Sequence, residues 1–288
     1  LQAAVFEKNI LISVLQLDQV DYATGLRLQR RLVNLRKENS IGDVVLLLEH
    51  TPVITLGRNA KSANIVASRE VLASRGVEVF ECDRGGDVTF HGPGQLVGYP
   101  IFDLRGFPSS EANRNSLGVI EYVRRLEEVL IRTCAEFGIV TERVSGLTGV
   151  WTDSATEVAR PSSELAVDQI SNHSGAQAKI AAIGVHISRS ITSHGFAFNV
   201  NTDLSFFDLI IPCGIPSKPV TSMQRELNKT QTPQEVAHSV ARNFGTVFQS
   251  QILWLDSLDS LLSQPVGVPL KVPEDLRRLH GEEETFFA

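Results

Sequence analysis

Apolar positions along this chain fall into short runs and helical stripes. Residues 10–17 read ILISVLQL, a strand, and residues 18–38 then carry Tyr22, Leu26, Leu28, Leu32 and Leu35 at the spacing of a helix buried on one side. Residues 44–48 and 53–56 predict strands around a turn at His50-Thr51-Pro52. Residues 77–82 predict another, leading into a glycine-rich stretch that continues through residues 96–104. Residues 116–137 place Val123, Leu126, Leu130, Cys134 and Phe137 on one stripe, which makes Cys134 a core residue. Strands at 139–144, 149–152, 179–188 and 191–200 follow, the last two as partners. A further helix opens at Thr232-Pro233-Gln234-Glu235, with threonine as cap, proline in the first turn and glutamate closing the capping box, and ends near Phe248. Strands cluster between helices without a strict βαβ repeat, so the expected class is α/β (α+β) with a mixed sheet flanked by helices.

Two segments stand outside this pattern. Residues 153–178, rich in Ser, Ala, Glu and Asp, interrupt a hairpin between Trp151 and Lys179 and read as a mobile surface insertion. Residues 251–288 contain Pro265, Pro269 and Pro273 and the acidic run Glu282 to Glu284; they read as a tail behind a single domain of residues 1–250. With 288 residues, 42% of them hydrophobic, the chain has ample material for a core. A formal charge of -6 with no offsetting basic stretch argues against nucleic acid as a partner. The helix bearing Arg27, Arg30, Arg31, Arg36 and Lys37 is a local basic patch suited to an acidic protein, although a solvated face is the simpler reading. Three cysteines, an odd number without CxxC spacing, indicate neither a disulfide framework nor a zinc site, and fit a reducing compartment such as the cytoplasm. No apolar run approaches the roughly 18 residues of a membrane span. The first residues lack the basic start and small-residue cleavage site of a signal peptide, while a start at Leu1 leaves open a removed presequence.

The chemistry concentrates in two places. Residues 84–95 read RGGDVTFHGPGQ, with Gly85, Gly86, Gly92 and Gly94 around the β-type segment Val88-Thr89-Phe90. Glycine weakens a strand, so its usual reasons are a bulge, a tight turn or a close approach to a ligand. Arg84, His91 and Gln95 in the same run favour a binding site. The second place is Cys213, on a turn between Pro212 and Gly214-Ile215-Pro216 and not inside an apolar segment. A free thiol with a pKa near 8.5 is only a few per cent ionised at neutral pH, so a nucleophilic role requires a cation nearby. Lys179, His91, His186 and His194 are the candidates. Lys179 opens the apolar strand KIAAIGV, where it is either a solvated strand-end lysine or the partner of the thiol. A structural turn cysteine remains open at this point.

These motifs, with GVW, the preceding EHTPVITLGR and the long stretch from KIAAIGV through SHGFAFNVNTDLSFFDLIIPCGI, resemble the lipoate-protein ligase B family, the octanoyl-[acyl carrier protein]:protein octanoyltransferases. The resemblance spans about residues 8–248 in order. It implies a catalytic domain of the biotin/lipoate protein ligase type and a Cys/Lys dyad, with Cys213 as the acyl-thioester nucleophile and Lys179 as its partner. The implied substrate-binding stretches are Arg84, Gly85, Gly86, Asp87, Val88, Thr89, Phe90 and His91; Ala182, Ile183 and Gly184; and Gly195, Phe196 and Ala197. The implied donor is octanoyl-acyl carrier protein, carrying its acyl group on phosphopantetheine. The implied acceptors are lysines of lipoyl domains in 2-oxoacid dehydrogenase complexes and of the glycine cleavage H protein. No ATP, metal or organic cofactor is implied, and neither nucleic acid nor membrane is a partner.

Two alternatives share parts of this pattern. An ATP-dependent lipoate or biotin ligase has a glycine-rich loop and a lysine but needs no nucleophilic cysteine. Such ligases tend to carry aspartate after the loop histidine and asparagine at its end, where this chain has Gly92 and Gln95. A non-catalytic acyl-binding protein on the same fold would be expected to lack Cys213 or Lys179, and both are present.

Overall fold

The computed structural model describes residues 10–111, 114–152, 177–212 and 219–262. Strand β1 (Ile10–Val20) runs past its expected end, because beyond a bulge Gln19 and Val20 still pair with Glu49 and His50. Helix α1 (Tyr22–Lys37) therefore starts later than the stripe alone suggested. Its cap is Asp21, whose carboxylate accepts from Thr24 N at 2.9 Å. Tyr22, Leu28, Leu32 and Leu35 are buried as expected, whereas Leu26 lies at the margin of the stripe and is half-buried.

The chain continues through β2 (Asp43–His50), β3 (Val53–Leu56), α2 (Arg69–Ser74), β4 (Glu78–Glu81), β5 (Val88–His91) and β6 (Gln95–Ile101). Helix α3 (Val119–Glu136) and strands β7 (Thr141–Val144), β8 (Leu147–Thr152), β9 (Lys179–Ser188) and β10 (Ile191–Asn199) follow. The described chain ends with α4 (Met223–Leu227), α5 (Pro233–Phe248), β11 (Ser250–Leu255) and α6 (Leu258–Leu262). Eight strands form one sheet in the order β11-β1-β2-β6-β10-β9-β8-β7, and β4-β3-β5 form a second. Strand β1 is parallel to both β11 and β2, while β2, β6, β10 and β9 are successively antiparallel, so the large sheet is mixed as expected.

Alternation along β6 shows how the layers form. Leu96 joins Phe196 and Phe198 of β10 against Phe244 and Phe248 of α5 and Leu126 and Leu130 of α3. Val97 and Tyr99 turn to the opposite face, where they meet Leu28, Leu32 and Leu35 of α1. The small sheet has its own core of Ile54, Val88 and Phe90 against Phe207 and Leu209, which lie on a 3-10 helix, Leu204–Leu209. Cys134 is fully buried on α3, and burial pushes its thiol pKa up to about 12. Val123 and Phe137, expected on the same stripe, are half-buried at its edges.

The segment expected to open the tail behaves differently. Ser250–Leu255 adds an edge strand parallel to β1, pairing Ile10 with Ser250 through Leu15 with Leu255. Leu258 and Leu261 of α6 join the core beneath α1. The run SQILWL had already carried a strand signature, obscured by the prolines beyond it. Of the expected insertion at residues 153–178, residues 153–176 lie outside the described residues, as do residues 263–288 and Cys213, while Ala178 O accepts from Thr152 N at 2.9 Å.

Candidate active site

Between the α1 face of the large sheet and the small sheet lies a cavity of about 320 Å³. It is lined by Arg84, Gly85, Gly86, Asp87, Val88, Thr89 and His91 from the glycine-rich run, by Ala182, Ile183 and Gly184 of β9, and by Gly195, Phe196 and Ala197 of β10. The last two stretches are direct partners across the ladder, Ala182 with Ala197, Ile183 with Phe196 and Gly184 with Gly195. Lys179 also lines the cavity. Three segments distant in sequence thus converge on one space. Phe196 borders the cavity along β10 while its ring packs with Phe244 on the opposite face, and Phe90 is absent from the lining altogether. Strand alternation turns it into the core of the small sheet, where its ring stacks on Phe206 at 4.6 Å, so it stands behind the wall and not in it.

The glycines of the run serve backbone packing as well as ligand access. Gly85 N donates to Val185 O at 3.0 Å, and a Cβ on Gly184 would come within 2.7 Å of Gly85 O. The loop can lie on β9 only because Gly184 has no side chain. Gly86 adopts a φ of 90°, a turn that favours glycine. Asp87 completes the loop by accepting from Asn64 Nδ2 at 2.7 Å and Val88 N at 2.8 Å.

Behind the loop runs a buried chain of hydrogen bonds. Arg84 donates to Thr55 Oγ1 through Nε at 3.2 Å and Nη2 at 2.8 Å, and to Thr55 O at 2.6 Å. The Thr55 hydroxyl lies 3.3 Å from His91 Nε2. Gln95 spends its Nε2 protons on Phe90 O and Asn199 Oδ1, so its Oε1 accepts from His91 Nδ1 at 2.8 Å, which leaves His91 Nε2 as acceptor for Thr55. Asn199 Nδ2 donates to Thr221 O at 2.9 Å, and Thr221 N donates to Lys179 O at 2.9 Å. Burial, reinforced by His50 and Arg84, holds the His91 pKa well below the ordinary imidazole value, so this tautomer is neutral.

Lys179 is 7% exposed, with Nζ 4.6 Å from the centroid of the Trp151 ring. It is therefore not the solvated strand-end residue that its position in sequence allowed. Room for its stem comes from Gly149, whose φ is 126° and where a Cβ would meet Ala181 O at 2.6 Å and Lys179 Cε at 3.5 Å. Glu127, fully buried on α3, holds this part of β8 by accepting from Gly149 N at 3.2 Å and from Arg124 and Arg143. A small void beside the main cavity is lined by Lys179, Thr89, Gln95, Asn199 and Pro212. Pro212 is the residue before Cys213, and across the gap Lys179 N donates to Pro219 O at 2.8 Å.

His194, which also lines the cavity, and His186, both named as possible partners of the thiol, gather around Asp83. His194 Nε2 lies 2.8 Å from Asp83 Oδ1, a bond that holds the Asp83 carboxyl far below the usual carboxylate range. His186 approaches the same carboxylate at 3.7 Å and also contacts Arg58. Tyr22, Val97, Tyr99, Gly146 and the first residues of β8, Leu147 and Thr148, line the cavity too, and no motif had marked them. Arg36 of the basic helix bonds Asp43 at 2.9 Å, so it is not part of a free surface patch. Among the described residues, no three or more His, Cys, Asp or Glu side chains form a group able to hold a metal ion, and no helix is long and apolar enough to cross a membrane.

Residues 21–245 match the model of the lipoyl protein ligase A/B catalytic domain. An octanoyltransferase of Koribacter versatilis is 60% identical over 95% of this chain and 98% of its own length. One of Acidobacterium capsulatum is 54% identical over 88% and 97%. Among solved structures, a bipartite lipoate protein ligase of Thermoplasma acidophilum superposes with a TM-score of 0.61, covering 95% of this chain and 91% of that one. Lipoate-protein ligase A bound with ATP gives 0.58, covering 94% and 93%. At 13% and 14% identity these two speak for the fold alone.

Proposed function

The chain belongs to the lipoyl protein ligase A/B catalytic-domain family and is an octanoyltransferase, an acyltransferase of lipoate biosynthesis, and from that premise we propose that it works through a Cys213 thioester assisted by Lys179. The observation that carries this reading is the convergence of the glycine-rich run, β9, β10 and Lys179 on one cavity, with Pro212 beside the same lysine.

In the first half-reaction the Cys213 thiolate attacks the carbonyl carbon of octanoyl-acyl carrier protein. The new C–S bond forms, the bond to phosphopantetheine sulfur breaks, and that thiolate leaves to be protonated. In the second, a lysine amine of a lipoyl domain attacks the octanoyl-enzyme; the amide C–N bond forms, the C–S bond to Cys213 breaks, and the amine gives up a proton. A lysine with a pKa near 10.4 is charged at neutral pH, so this half needs a base, the role we assign to Lys179. Exchange of a thioester for an amide is downhill, so the proposed reaction consumes no ATP and needs no metal. The acceptors, by the same reading, are lipoyl domains of 2-oxoacid dehydrogenase complexes and the glycine cleavage H protein, and the enzyme works in the cytoplasm.

Arg84 is committed to Thr55 and Gly85 O and serves to hold the loop that covers the acyl chain. His91, neutral and bonded on both nitrogens, serves the same scaffold and not as the base.

Intact-mass measurement after incubation with octanoyl-acyl carrier protein, without ATP, tests the proposal. One octanoyl group, released by hydroxylamine and absent from Cys213→Ser, is the expected result. An unchanged mass, or an adduct on Cys82 or Cys134, would overturn it.

A further inference from the structure

The cavity has an open rim and a closed floor. Asn59, Gly86, Gly146 and Thr148 at the rim are exposed, whereas Tyr22, Tyr99 and His194 are 1%, 4% and 2% exposed. Behind Tyr99 stands His50, wholly buried, with Nε2 2.6 Å from the Tyr99 hydroxyl and Nδ1 2.7 Å from Val20 O. A carbonyl can only accept, so Nδ1 carries the proton and Nε2 accepts from Tyr99. The imidazole fits because Gly25 has no Cβ; one there would stand 2.8 Å from His50 Cε1. Tyr22 meets His50 edge-on at 5.2 Å and stacks on His91 at 6.2 Å. The wall is therefore braced from behind, and burial keeps both imidazoles unprotonated, His50 with a pKa of about 4.

Between rim and floor the sheet carries the small pair Ala182 and Ala197, which leaves a trough, while the next pair, Gly184 and Gly195, is packed over by the backbone of Gly85 and Gly98. At roughly 3.3 Å per residue, Ala182 lies about 10 Å along β9 from Lys179. An extended octanoyl group, seven carbon–carbon bonds of about 1.5 Å in zigzag, measures about 9 Å from carbonyl carbon to methyl. A chain whose carbonyl sits at the Lys179 end thus brings its methyl level with Ala197 and Val97, and Tyr99 is the next residue of β6 on that face.

We propose that Tyr99, braced by His50, is the specificity-determining residue that limits acyl length, its ring meeting the terminal methyl of the octanoyl chain. The inference rests on the octanoyltransferase reading above. Rates of transfer from hexanoyl-, octanoyl-, decanoyl- and dodecanoyl-acyl carrier protein test it in wild type, Tyr99→Ala and Tyr99→Leu. Opening the floor lets two further methylenes be buried, so decanoyl transfer should rise relative to octanoyl by roughly tenfold. Tyr99→Leu, which keeps an apolar group in the wall, carries the test if the alanine variant does not fold. Ala197→Val, by filling the trough, should move preference the other way, toward hexanoyl. Wild-type octanoyl transfer with an unchanged decanoyl-to-octanoyl ratio in both Tyr99 variants would overturn the length limit and leave the enzymatic reading intact. A wild type inert with every donor would overturn both.

Discussion

Gln95 donates its side-chain amide to Asn199 Oδ1 across 2.9 Å, a side-chain bond that adds to the backbone pairing between the glycine-rich run and the segment that holds the lysine strand. Both residues are buried, Gln95 1% and Asn199 4% exposed. Asn199→Ala leaves the Gln95 amide and Thr221 O without their partner, so it should cost about 1 to 3 kcal/mol. Because Thr221 N in turn bonds Lys179 O, the variant should also slow acyl transfer while remaining folded at 25 °C. Asn199→Asp keeps the acceptor for Gln95 but sets a buried carboxylate oxygen against Thr221 O, so it should cost at least as much as Asn199→Ala. Urea unfolding and single-turnover transfer check this; wild-type values for Asn199→Ala in both would show that the connection is incidental.

The two tasks given to Lys179 separate by substitution. Lys179→Arg keeps a permanent cation, so acylation of Cys213 should survive in part. Arginine is no base near neutral pH, so transfer to the acceptor lysine should fail and octanoyl-enzyme should accumulate. Lys179→Met removes both functions and should slow acylation as well. Single-turnover rates of each half-reaction decide the matter. Wild-type rates in both halves for both variants would send the search for the base to His186 and His194, since His91 is bonded on both nitrogens.

Much of the site was legible in the sequence, for a physical reason. Where backbone must touch backbone, as Gly85 does over Gly184, only glycine fits, and such positions leave a compact motif. The small pairs on β9 and β10 carry a similar mark. Tyr22 and Tyr99 left none: a helical stripe assigns the first to the core and strand alternation does the same for the second, yet each also presents a ring to the cavity. The brace behind Tyr99 joins residues 49 apart in sequence, which no local pattern can announce. Phe90 shows the converse, since a motif position within a strand still obeys alternation and faces away.

The edge strand gives the next prediction. Ending the chain after Gln249 removes β11 and, with it, buried Leu255, Leu258 and Leu261. Each fully buried leucine is worth about 1.5 to 3 kcal/mol, so the truncation should destabilise the fold by several kcal/mol. Ending after Leu262 keeps all three. Thermal melts of the two truncations should therefore differ by well over 5 °C. Equal melting temperatures would mean that the domain is complete by residue 250.

His50 ties stability to pH. Burial holds its folded pKa at about 4, against about 6.5 for an imidazole in the unfolded chain. Above pH 6.5 neither state is protonated, and the full stability is present. As pH falls from 6.5 toward 4, the unfolded chain binds a proton that the folded protein refuses, so stability declines; below 4 both states bind it and the decline levels off. The loss over that window is on the order of 3 kcal/mol, and His91, also depressed, acts in the same direction. In His50→Gln an uncharged group that can still accept from Tyr99 replaces the imidazole. The stability difference between pH 7 and pH 4.5, read from urea unfolding, should then shrink by about 2 kcal/mol. A pH slope identical to that of wild type would show that the His50 imidazole binds its proton as readily in the folded protein as in the unfolded chain, and the reading of a burial-depressed His50 would have to be given up.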